Sequence, residues 1–424
     1  MILSPALSAF KGLDGVIRPS FSREFASEKT LNNGTGPTIT FTRASSATYF
    51  DASGTLQTAA VDEPRFDHEV FTGVSRGLLI EESRTNIVLN SQASGSIVGT
   101  IGSGGALPTN WSSVVQSPLI LQVVGSGTEI GMPYVDLRIY TINQLSTTTS
   151  VNILINGAQG YAAQNQQWTS SLYARIVSGT FVGQLRIGIS GANAAGVPFF
   201  DNNIPFIESS SWRRYTRSGT LSDVGTTSAI ATLSYFGANR LRPDFIIRVA
   251  SPQLEQGAFS TSFIPTSGGV ASRQADTAVV DSFNSFGGSV EGTILSEFRT
   301  VSTSGTRVIA SLDDGTANQS IRLFTSGTDP RFAITNGNIP QVDIDAGTVA
   351  SGTNYKLSGA YAPDDFAVSL NGAAVGTDTV GTAPVITHLR MGSGPNGDQF
   401  NGHIRKIAYY PKRLSNVLLR QLAA

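Results

Sequence analysis

The sequence predicts an all-β protein in which an irregular N-terminal region is followed by two β-sandwich domains. Short runs rich in β-branched and aromatic residues recur along the chain, and Gly, Asn, Ser and Pro clusters separate them. Charged residues make up only 14% of the chain, below the usual share of about 25%. The 45 glycines are spread as turn residues. These features are typical of sheet proteins with hydroxyl-rich outer faces.

The first predicted sandwich covers residues 86–265. Residues 173–176 and 212–216 alternate between polar and apolar side chains, which indicates strands with one face inward. The strand candidates are residues 86–89, 119–124, 134–140, 151–155, 168–176, 184–189, 212–218, 228–236 and 245–249.

The second predicted sandwich covers residues 276–424. Residues 365–370 run into Asn371-Gly372, a pair that favours a tight hairpin turn. Residues 415–424 are predicted to form a short terminal helix with Ser415 as its cap. The strand candidates are residues 291–300, 307–313, 320–325, 331–335, 354–362, 365–370 and 403–410.

Residues 1–85 form the N-terminal region, and residues 266–275 form a linker that begins after Pro265 with Thr-Ser-Gly-Gly. Ser4 as a cap and Pro5 at the first helical position predict a short helix over residues 4–13. The short strand candidates that follow rarely build a core of their own. We therefore expect this region to pack on a partner or on the next domain.

Bulk composition excludes several classes of protein. The formal charge is −1, so no basic field exists to hold nucleic acid. No cysteine is present to form a disulfide or a thiolate metal site. The N-terminus lacks the basic and apolar segments of a signal peptide, and no run of about 18 apolar residues predicts membrane insertion.

Three sequence blocks resemble virion proteins of tailed bacteriophages. The first is FTRASSATYFDASGTLQTAAVDEPRFDHEVFTGVSRGLLIEESRTNIVLNS, residues 41–91. The second is SPQLEQGAFSTSFIPTSGG followed by SRQAD, and the third is VSLNGAAVG with LRMGSG and FNGHIRKIAYYPKRLS. The resemblance implies a carbohydrate-binding-module-like jelly roll at 86–265 and a concanavalin-A-like (laminin-G-like) sandwich at 276–424.

The resemblance also implies a function. We expect a non-enzymatic tail spike or fibre protein of the virion, made in the host bacterial cytoplasm, that binds a host cell-surface polysaccharide. Residues 1–85 would attach it to other virion proteins, and spikes of this kind are usually homotrimers. Two alternatives stay open: a purely structural virion component, such as a capsid decoration or baseplate element, and a polysaccharide depolymerase.

Candidate carbohydrate-binding residues are those whose context resembles a loop. Trp111 follows Pro108 in such a stretch, and Tyr235, Asn239 and Arg240 precede Pro243. Aromatic side chains there would stack on sugar rings. The alternative is core packing, which we expect for Trp168 and Trp212 because both lie in strand patterns.

Carboxylates at turns are the candidate metal ligands, because concanavalin-like folds often hold calcium near their loops. Calcium needs six to eight oxygens converging on one point, and no cofactor is required by any other motif. Asp-Asp-Gly and Pro-Asp-Asp are also ordinary turn sequences, and we favour turns. The candidates are Asp313, Asp314, Asp364 and Asp398, with Asp365 and Asn396 nearby.

No catalytic pattern is present, and we predict no enzyme activity. Glycoside hydrolysis needs two facing carboxyl groups, yet Glu291 and Glu297 stand isolated in the second sandwich. No Gly-x-Ser-x-Gly motif accompanies the three histidines; His388 and His403 fall in strand-like segments, and His68 is predicted at the surface. The charged residues of the N-terminal region are expected to pair and hold loops: Arg43, Asp51, Arg65, Asp67, Arg76, Glu81, Glu82 and Arg84.

Overall fold

The computed structural model describes residues 18–198, 203–287 and 290–424. It confirms the all-β prediction, because antiparallel sheets contain most of the regular structure. Helical residues in the described ranges belong to α1 (Phe25–Glu28), a 3-10 turn (Phe283–Ser285) and α2 (Asn416–Ala423). None of the helices in these ranges is long and apolar enough to cross a membrane. The helix predicted over residues 4–13 lies outside the described residues.

The strands are numbered in chain order. Up to residue 105 they are β1 Phe21–Arg23, β2 Thr40–Thr42, β3 Ala47–Phe50, β4 Leu56–Ala59, β5 Phe66–His68, β6 Ser75–Ile80, β7 Arg84–Asn86, β8 Gly99–Ile101 and β9 Gly104–Gly105. From there to residue 273 they are β10 Trp111–Val115, β11 Ile120–Glu129, β12 Met132–Tyr140, β13 Thr149–Asn156, β14 Gln167–Thr180, β15 Gln184–Ala192, β16 Ile204–Phe206, β17 Arg213–Thr220, β18 Ser228–Gly237, β19 Asp244–Gln256 and β20 Ala271–Arg273. The remaining strands are β21 Thr277–Val280, β22 Gly292–Thr300, β23 Thr306–Asp313, β24 Ser320–Ser326, β25 Asp329–Asn336, β26 Ile339–Asp345, β27 Asn354–Ala362, β28 Asp365–Leu370, β29 Gly376–Asp378, β30 His388–Met391 and β31 Gly402–Tyr410.

The chain divides into two compact units. Unit 1 contains the N-terminal residues up to Gly54, then Ala59–Glu82 and Gln274–Ala424. Unit 2 contains Thr55–Thr58 and Ser83–Arg273. Each unit has its own hydrophobic core.

Unit 1 is a sandwich of two antiparallel sheets. One sheet has the order β29-β28-β27-β22-β31-β6-β5, with β1 also paired to β31, and the other has the order β2-β21-β30-β23-β24-β25-β26. Ile294 and Phe298 of strand β22 belong to the same hydrophobic core as Ile309 and Leu323 of the second sheet.

Unit 2 is a second sandwich. Its larger sheet has the order β17-β14-β19-β12-β11-β8-β9, and its smaller sheet has the order β10-β13-β18-β15-β16. Val135 and Leu137 of the larger sheet pack against Ile153 and Leu233 of the smaller one. The sequence-predicted strands from 119 to 249 all overlap observed strands.

The described part of the N-terminal region differs from the prediction of a separate segment over residues 1–85. Strands β1 and β6 pair with β31, and β2 pairs with β21, so residues near both ends of the chain share the sheets of unit 1. Residues 266–275 were predicted to be a linker, but most of them belong to unit 2. Strand β20 pairs with β7 inside that unit, which ends at Arg273. Hydrogen bonding between strands far apart in sequence is the reason for both differences.

Two local predictions in unit 1 are confirmed. Asn371 and Gly372 have φ of 48° and 72°, so both adopt the left-handed conformation of a tight turn after β28. Helix α2 begins after Ser415, whose hydroxyl accepts a hydrogen bond from the backbone N–H of Leu418 at 3.4 Å.

Candidate functional site

The outer face of the larger sheet of unit 2 carries an ordered group of polar and aromatic side chains. Strand β12 alternates strictly, so that Val135, Leu137 and Ile139 enter the core while the residues between them point outward. We call the outward group, with Arg248 from the neighbouring strand β19, the tyrosine–arginine face. Its members are Tyr134, Asp136, Arg138, Tyr140 and Arg248.

Strand register places opposite charges beside one another on this face. The cross-strand neighbour of Asp136 is Arg248 of β19. The neighbour of Arg248 on its other side is Arg175 of β14. On the other side, Tyr134 lies opposite Gly127 of β11. A Cβ at Gly127 would stand 2.9 Å from the Tyr134 hydroxyl oxygen, so the missing side chain leaves room for the tyrosine ring. The polar and aromatic side chains of this face therefore come from four neighbouring strands, β11, β12, β19 and β14.

Arg248 is the electrostatic centre of the face. Its Nε and Nη2 each donate to Asp136 at 2.8 Å, and its Nη1 donates to Glu129. The hydrogen bonds to Asp136 raise the pKa of Arg248 further above its ordinary value. Burial alone would raise the pKa of Glu129, but hydrogen bonds from Arg248 and Arg175 lower it overall. Glu129 is therefore held as a carboxylate and is poorly suited to act as a general acid.

A second pair fixes the other end of the face. Arg138 donates to both carboxylate oxygens of Asp244, at 2.7 and 2.8 Å, and this bonding lowers the pKa of Asp244. The guanidinium carbon of Arg138 lies 4.2 Å from the ring centroid of Tyr140, and that of Arg248 lies 3.5 Å from the ring of Tyr134. Rings, donors and acceptors are thus held in fixed positions, as hydrogen bonding to a polyhydroxylated ligand would require.

Two of the predicted sugar-binding residues are buried, which corrects that prediction. Trp111 is the first residue of β10 and only 7% exposed, and its Nε1 donates to the Asn90 carbonyl at 3.0 Å. Tyr235 is 1% exposed in β18, its hydroxyl donates to the Val182 carbonyl, and burial raises its pKa to about 12. Neither ring presents a face to a ligand. Trp111 begins strand β10, whose sequence Trp-Ser-Ser-Val-Val does not alternate strictly and so gave no clear strand signal.

The other two predicted sugar-binding residues remain at the surface. Asn239 and Arg240 are exposed in the turn after β18, where Arg240 has a φ of 66° and donates its backbone N–H to Leu145. The structure does not bring them together with Trp111 and Tyr235, whose rings point into the core. The core prediction for Trp168 and Trp212 is confirmed, at 2% and 4% exposure.

The predicted calcium ligands act as turn caps and ion-pair partners instead. Asp313 is buried and accepts from Ser311, the Gly315 backbone and Arg390 at 2.8 to 3.2 Å. Across residues 18–198, 203–287 and 290–424, no group of three or more His, Asp or Glu side chains could hold a metal ion.

The other predicted ligands have similar local roles. Asp314 accepts from the backbone and hydroxyl of Thr316, at 2.9 and 2.6 Å, and Asp364 accepts from the Gly381 backbone at 2.9 Å. The backbone carbonyl of Asp398 accepts from Val308 at 3.2 Å. The contacts of Asp314 and Asp364 agree with the turn interpretation, whereas that of Asp398 is a backbone contact between distant parts of the chain.

A buried charge network occupies unit 1, and the sequence did not reveal its centre. Asp276 accepts from Arg43 at 3.1 Å, from Arg65 at 2.5 Å and from the Glu81 backbone at 2.9 Å. Burial alone would lower the pKa of Arg65, but Asp276 and Glu81 raise it overall. The expectation that N-terminal charges pair and hold loops is confirmed for Arg43, Arg65 and Glu81.

Two histidines belong to the interior of unit 1. His403 of β31 contacts Asp67 through Nε2 at 2.9 Å, and Arg76 reaches the same carboxylate at 3.3 Å. His68 is 4% exposed, with Nδ1 3.1 Å from the Phe50 carbonyl, so its predicted surface position is wrong. Asp67 and His68 are both buried in β5, where the register with β6 shifts between them, so simple strand alternation did not reveal the position of His68.

Comparison with known proteins gives limited matches. No family model matches the chain, and no curated protein matches it. Among solved structures, the chain is similar to the CBM40 module of Ruminococcus gnavus IT-sialidase bound to α2,3-sialyllactose, with 17% identity, a TM-score of 0.29, and coverage of 32% of this chain and 84% of that one. It is also similar to the CBM22-1 xylan-binding domain of Paenibacillus barcinonensis Xyn10C, with 12% identity, a TM-score of 0.24, and coverage of 40% and 98%.

A third similar structure is the enzymatically active domain of tailspike protein 4 from bacteriophage CBA120. Identity is 8%, the TM-score is 0.24, and the match covers 35% of this chain and 20% of that one. At these TM-scores the similarities decide nothing about function, which we base on the residues of this chain.

Proposed function

We propose that this chain is a non-enzymatic adhesion protein of a bacteriophage particle and that its tyrosine–arginine face binds a host surface polysaccharide. The observation that carries the proposal is the outer sheet face of unit 2, where two tyrosine rings lie beside arginines that are themselves paired with carboxylates. The three sequence blocks that resemble phage virion proteins support the particle assignment. Attachment through residues 1–85 and a homotrimeric assembly are part of the same proposal.

Binding is a better proposal than catalysis for this face. The carboxylates Glu129, Asp136 and Asp244 each bond to arginine, and this bonding lowers the pKa of Glu129 and of Asp244. Hydrolysis of a glycoside needs one carboxyl group that stays protonated until it reaches the leaving oxygen. A lattice of ionised groups and aromatic rings instead offers hydrogen bonds and apolar contact to a sugar ring.

The proposal is tested with the full-length protein on capsule-bearing bacteria and on the same cells after capsule removal. We expect capsule-dependent, saturable binding. Tyr140→Ala should weaken it about tenfold, since one aromatic contact of about 1.4 kcal/mol corresponds to that factor. Tyr161→Ala is the matched control, because Tyr161 is an exposed tyrosine of unit 2 outside the face. Equal binding by wild type and Tyr140→Ala would show that the tyrosine–arginine face is not the polysaccharide-binding site.

Two further outcomes separate the alternatives. Release of reducing ends from the capsule would establish a depolymerase. A structural virion component would bind no capsule, and its removal would reduce particle integrity. Exposed apolar side chains in unit 1, at Ile339, Val380 and Val385, would suit the protein contacts of such a component.

A further inference from the structure

We propose that Arg299, flanked by Arg76 and Arg405, forms a second binding site, in unit 1, for an oxyanion such as the carboxylate of an acidic sugar. The oxyanion chemistry follows from these side chains alone. The choice of a sugar as the carrier of the carboxylate rests on the proposed function. The site belongs to unit 1, whereas the tyrosine–arginine face belongs to unit 2, and it recognises the carboxylate of the sugar.

Arg299 lies on β22 between two strands of unit 1. It is opposite His403 of β31 and Asn354 of β27, and its side chain is 25% exposed. Its position in mid-sheet fixes the backbone, while the exposed part of the guanidinium can meet a ligand. Burial lowers the pKa of Arg299, and the charge of Arg76 lowers it further. A nearby anion would relieve both effects.

The guanidinium of Arg299 is poorly compensated by carboxylates. Within the described ranges its one charged contact is with Glu69 at 3.3 Å, whereas Glu69 stands 2.6 Å from Arg76. The other carboxylates of the cluster also serve other groups. Asp67 bonds to His403, and Glu297 bonds to Arg405 at 2.6 Å. Arg299 therefore keeps N–H donors for a ligand.

Arg331 of the same unit is an arginine whose charge is compensated by two carboxylates. Its side chain is also 25% exposed, but Asp343 lies at 2.7 Å and Asp345 at 3.7 Å. The hydrogen bond to Asp343 raises the pKa of Arg331, whereas the pKa of Arg299 is lowered. The two arginines are equally exposed, but carboxylates compensate the charge of Arg331 more fully than that of Arg299. An added anion would therefore stabilise the charged form of Arg299 more.

Space beside Arg299 is kept open by a glycine. Gly352 has a φ of 76°, and a Cβ placed on it would lie 3.6 Å from Nη2 of Arg299. Any other residue would be strained in this conformation and would reach toward the guanidinium. An oxyanion can accept two parallel N–H bonds from such a guanidinium, which gives direction as well as charge.

The experiment measures binding of hexagalacturonate to the full-length protein by calorimetry at low salt. Its fully methyl-esterified form is the neutral control ligand. We expect wild type to bind the acid and not the ester. Arg299→Gln should weaken binding at least tenfold, and Arg299→Lys should fall between the two because it keeps the charge without the paired donors. Arg331→Gln, the matched control, should bind as wild type does.

Several results would overturn the inference. Equal affinities of wild type and Arg299→Gln would exclude Arg299, and an equal loss in Arg331→Gln would indicate a non-specific charge effect. Binding of sulfate that depends on Arg299, without binding of hexagalacturonate, would overturn the sugar assignment. Tyr140→Ala should bind hexagalacturonate normally, so failure of this site and failure of the tyrosine–arginine face are distinguishable. Circular dichroism confirms that each variant is folded.

Discussion

Two networks of arginine and carboxylate, one in each unit, lie in opposite surroundings. Unit 1 buries Arg43, Arg65 and Asp276, whose side chains have no exposed surface. Unit 2 displays its arginines and carboxylates on an outer sheet face, where Arg138 is 35% exposed and its partner Asp244 is 50% exposed. Both arrangements are networks of arginine and carboxylate, so the difference lies in their surroundings.

That difference separates structural charges from charges that can meet a ligand. A buried charge has lost its water and depends entirely on its partners, so removing one partner leaves an uncompensated ion. A charge at the surface is screened by water and salt and can exchange a water molecule for a ligand group. We therefore expect substitutions in the buried network around Asp276 to change stability most, and substitutions of exposed groups to change stability little.

The tryptophans make the two units separately observable. Trp111, Trp168 and Trp212 are the three tryptophans of the chain, and all belong to unit 2. Tryptophan fluorescence therefore follows unfolding of unit 2, whereas far-ultraviolet circular dichroism follows both units.

The largest expected effect is that of Asp276→Asn. The substitution keeps the volume but leaves Arg43 and Arg65 buried without their shared carboxylate, which should lower the free energy of unfolding by about 3–5 kcal/mol. Urea denaturation followed by circular dichroism measures the loss. A loss under about 1 kcal/mol would contradict the structural role of the buried network.

A smaller effect is expected for Arg248→Gln. It removes charge-assisted hydrogen bonds to Asp136 and Glu129, each typically contributing about 1.5–3 kcal/mol, at a position where the arginine is 14% exposed. Tryptophan fluorescence in urea should show a loss within that range for unit 2. A larger loss than that of Asp276→Asn would break the contrast between the units.

The third prediction concerns pH and the buried pair His403 and Asp67. Burial lowers the pKa of His403 below its ordinary 6.5, so between the two values the unfolded chain binds a proton that the folded chain does not. Unit 1 should therefore lose stability as pH falls below about 6.5. Burial would raise the pKa of Asp67, but His403 and Arg76 lower it, so its contribution is lost only at more acidic pH.

Urea midpoints recorded by circular dichroism across this pH range test the prediction. His403→Gln keeps a donor for Asp67 and removes the titrating ring, so its midpoint should vary less between pH 6.5 and 5. An identical pH dependence in the variant and in wild type would assign the effect to other groups.

The smallest effect is expected for Asp343→Asn in unit 1. Asp343 is 54% exposed and pairs with Arg331, so its loss should change stability by about 0–1 kcal/mol. This variant tests whether the loss in free energy of unfolding depends on the exposure of the ion pair or on the unit that contains it. A loss comparable to that of Asp276→Asn, measured in the same urea experiment, would show that exposure is not the deciding variable.

The sequence predicted the parts of the fold that depend on neighbours along the chain. Alternation identified the strands of unit 2, and Asn371-Gly372 identified a turn whose residues both have positive φ. It did not predict which strands pair. One of the two partners of β6 is β31, at the other end of the chain, and no local pattern encodes that choice.

The candidate sites show the same limit. Trp111 and Tyr235 were chosen as candidate sugar contacts because they are aromatic, but both point into the core, and the tyrosine–arginine face was not predicted. Its outward residues were visible as an alternation in β12, yet their pairing with Arg248 depends on strand register.

By itself, the sequence determined the all-β class, most strands of both sandwiches, the terminal helix and the absence of cysteine chemistry, because each depends on composition or on residues close in the chain. Tertiary structure alone decided the partners of Asp276, which lies 233 residues from Arg43, and the face on which each aromatic ring stands. The physical reason is that burial and ion pairing are set by strand neighbours, and those neighbours are brought together only when the sheets form.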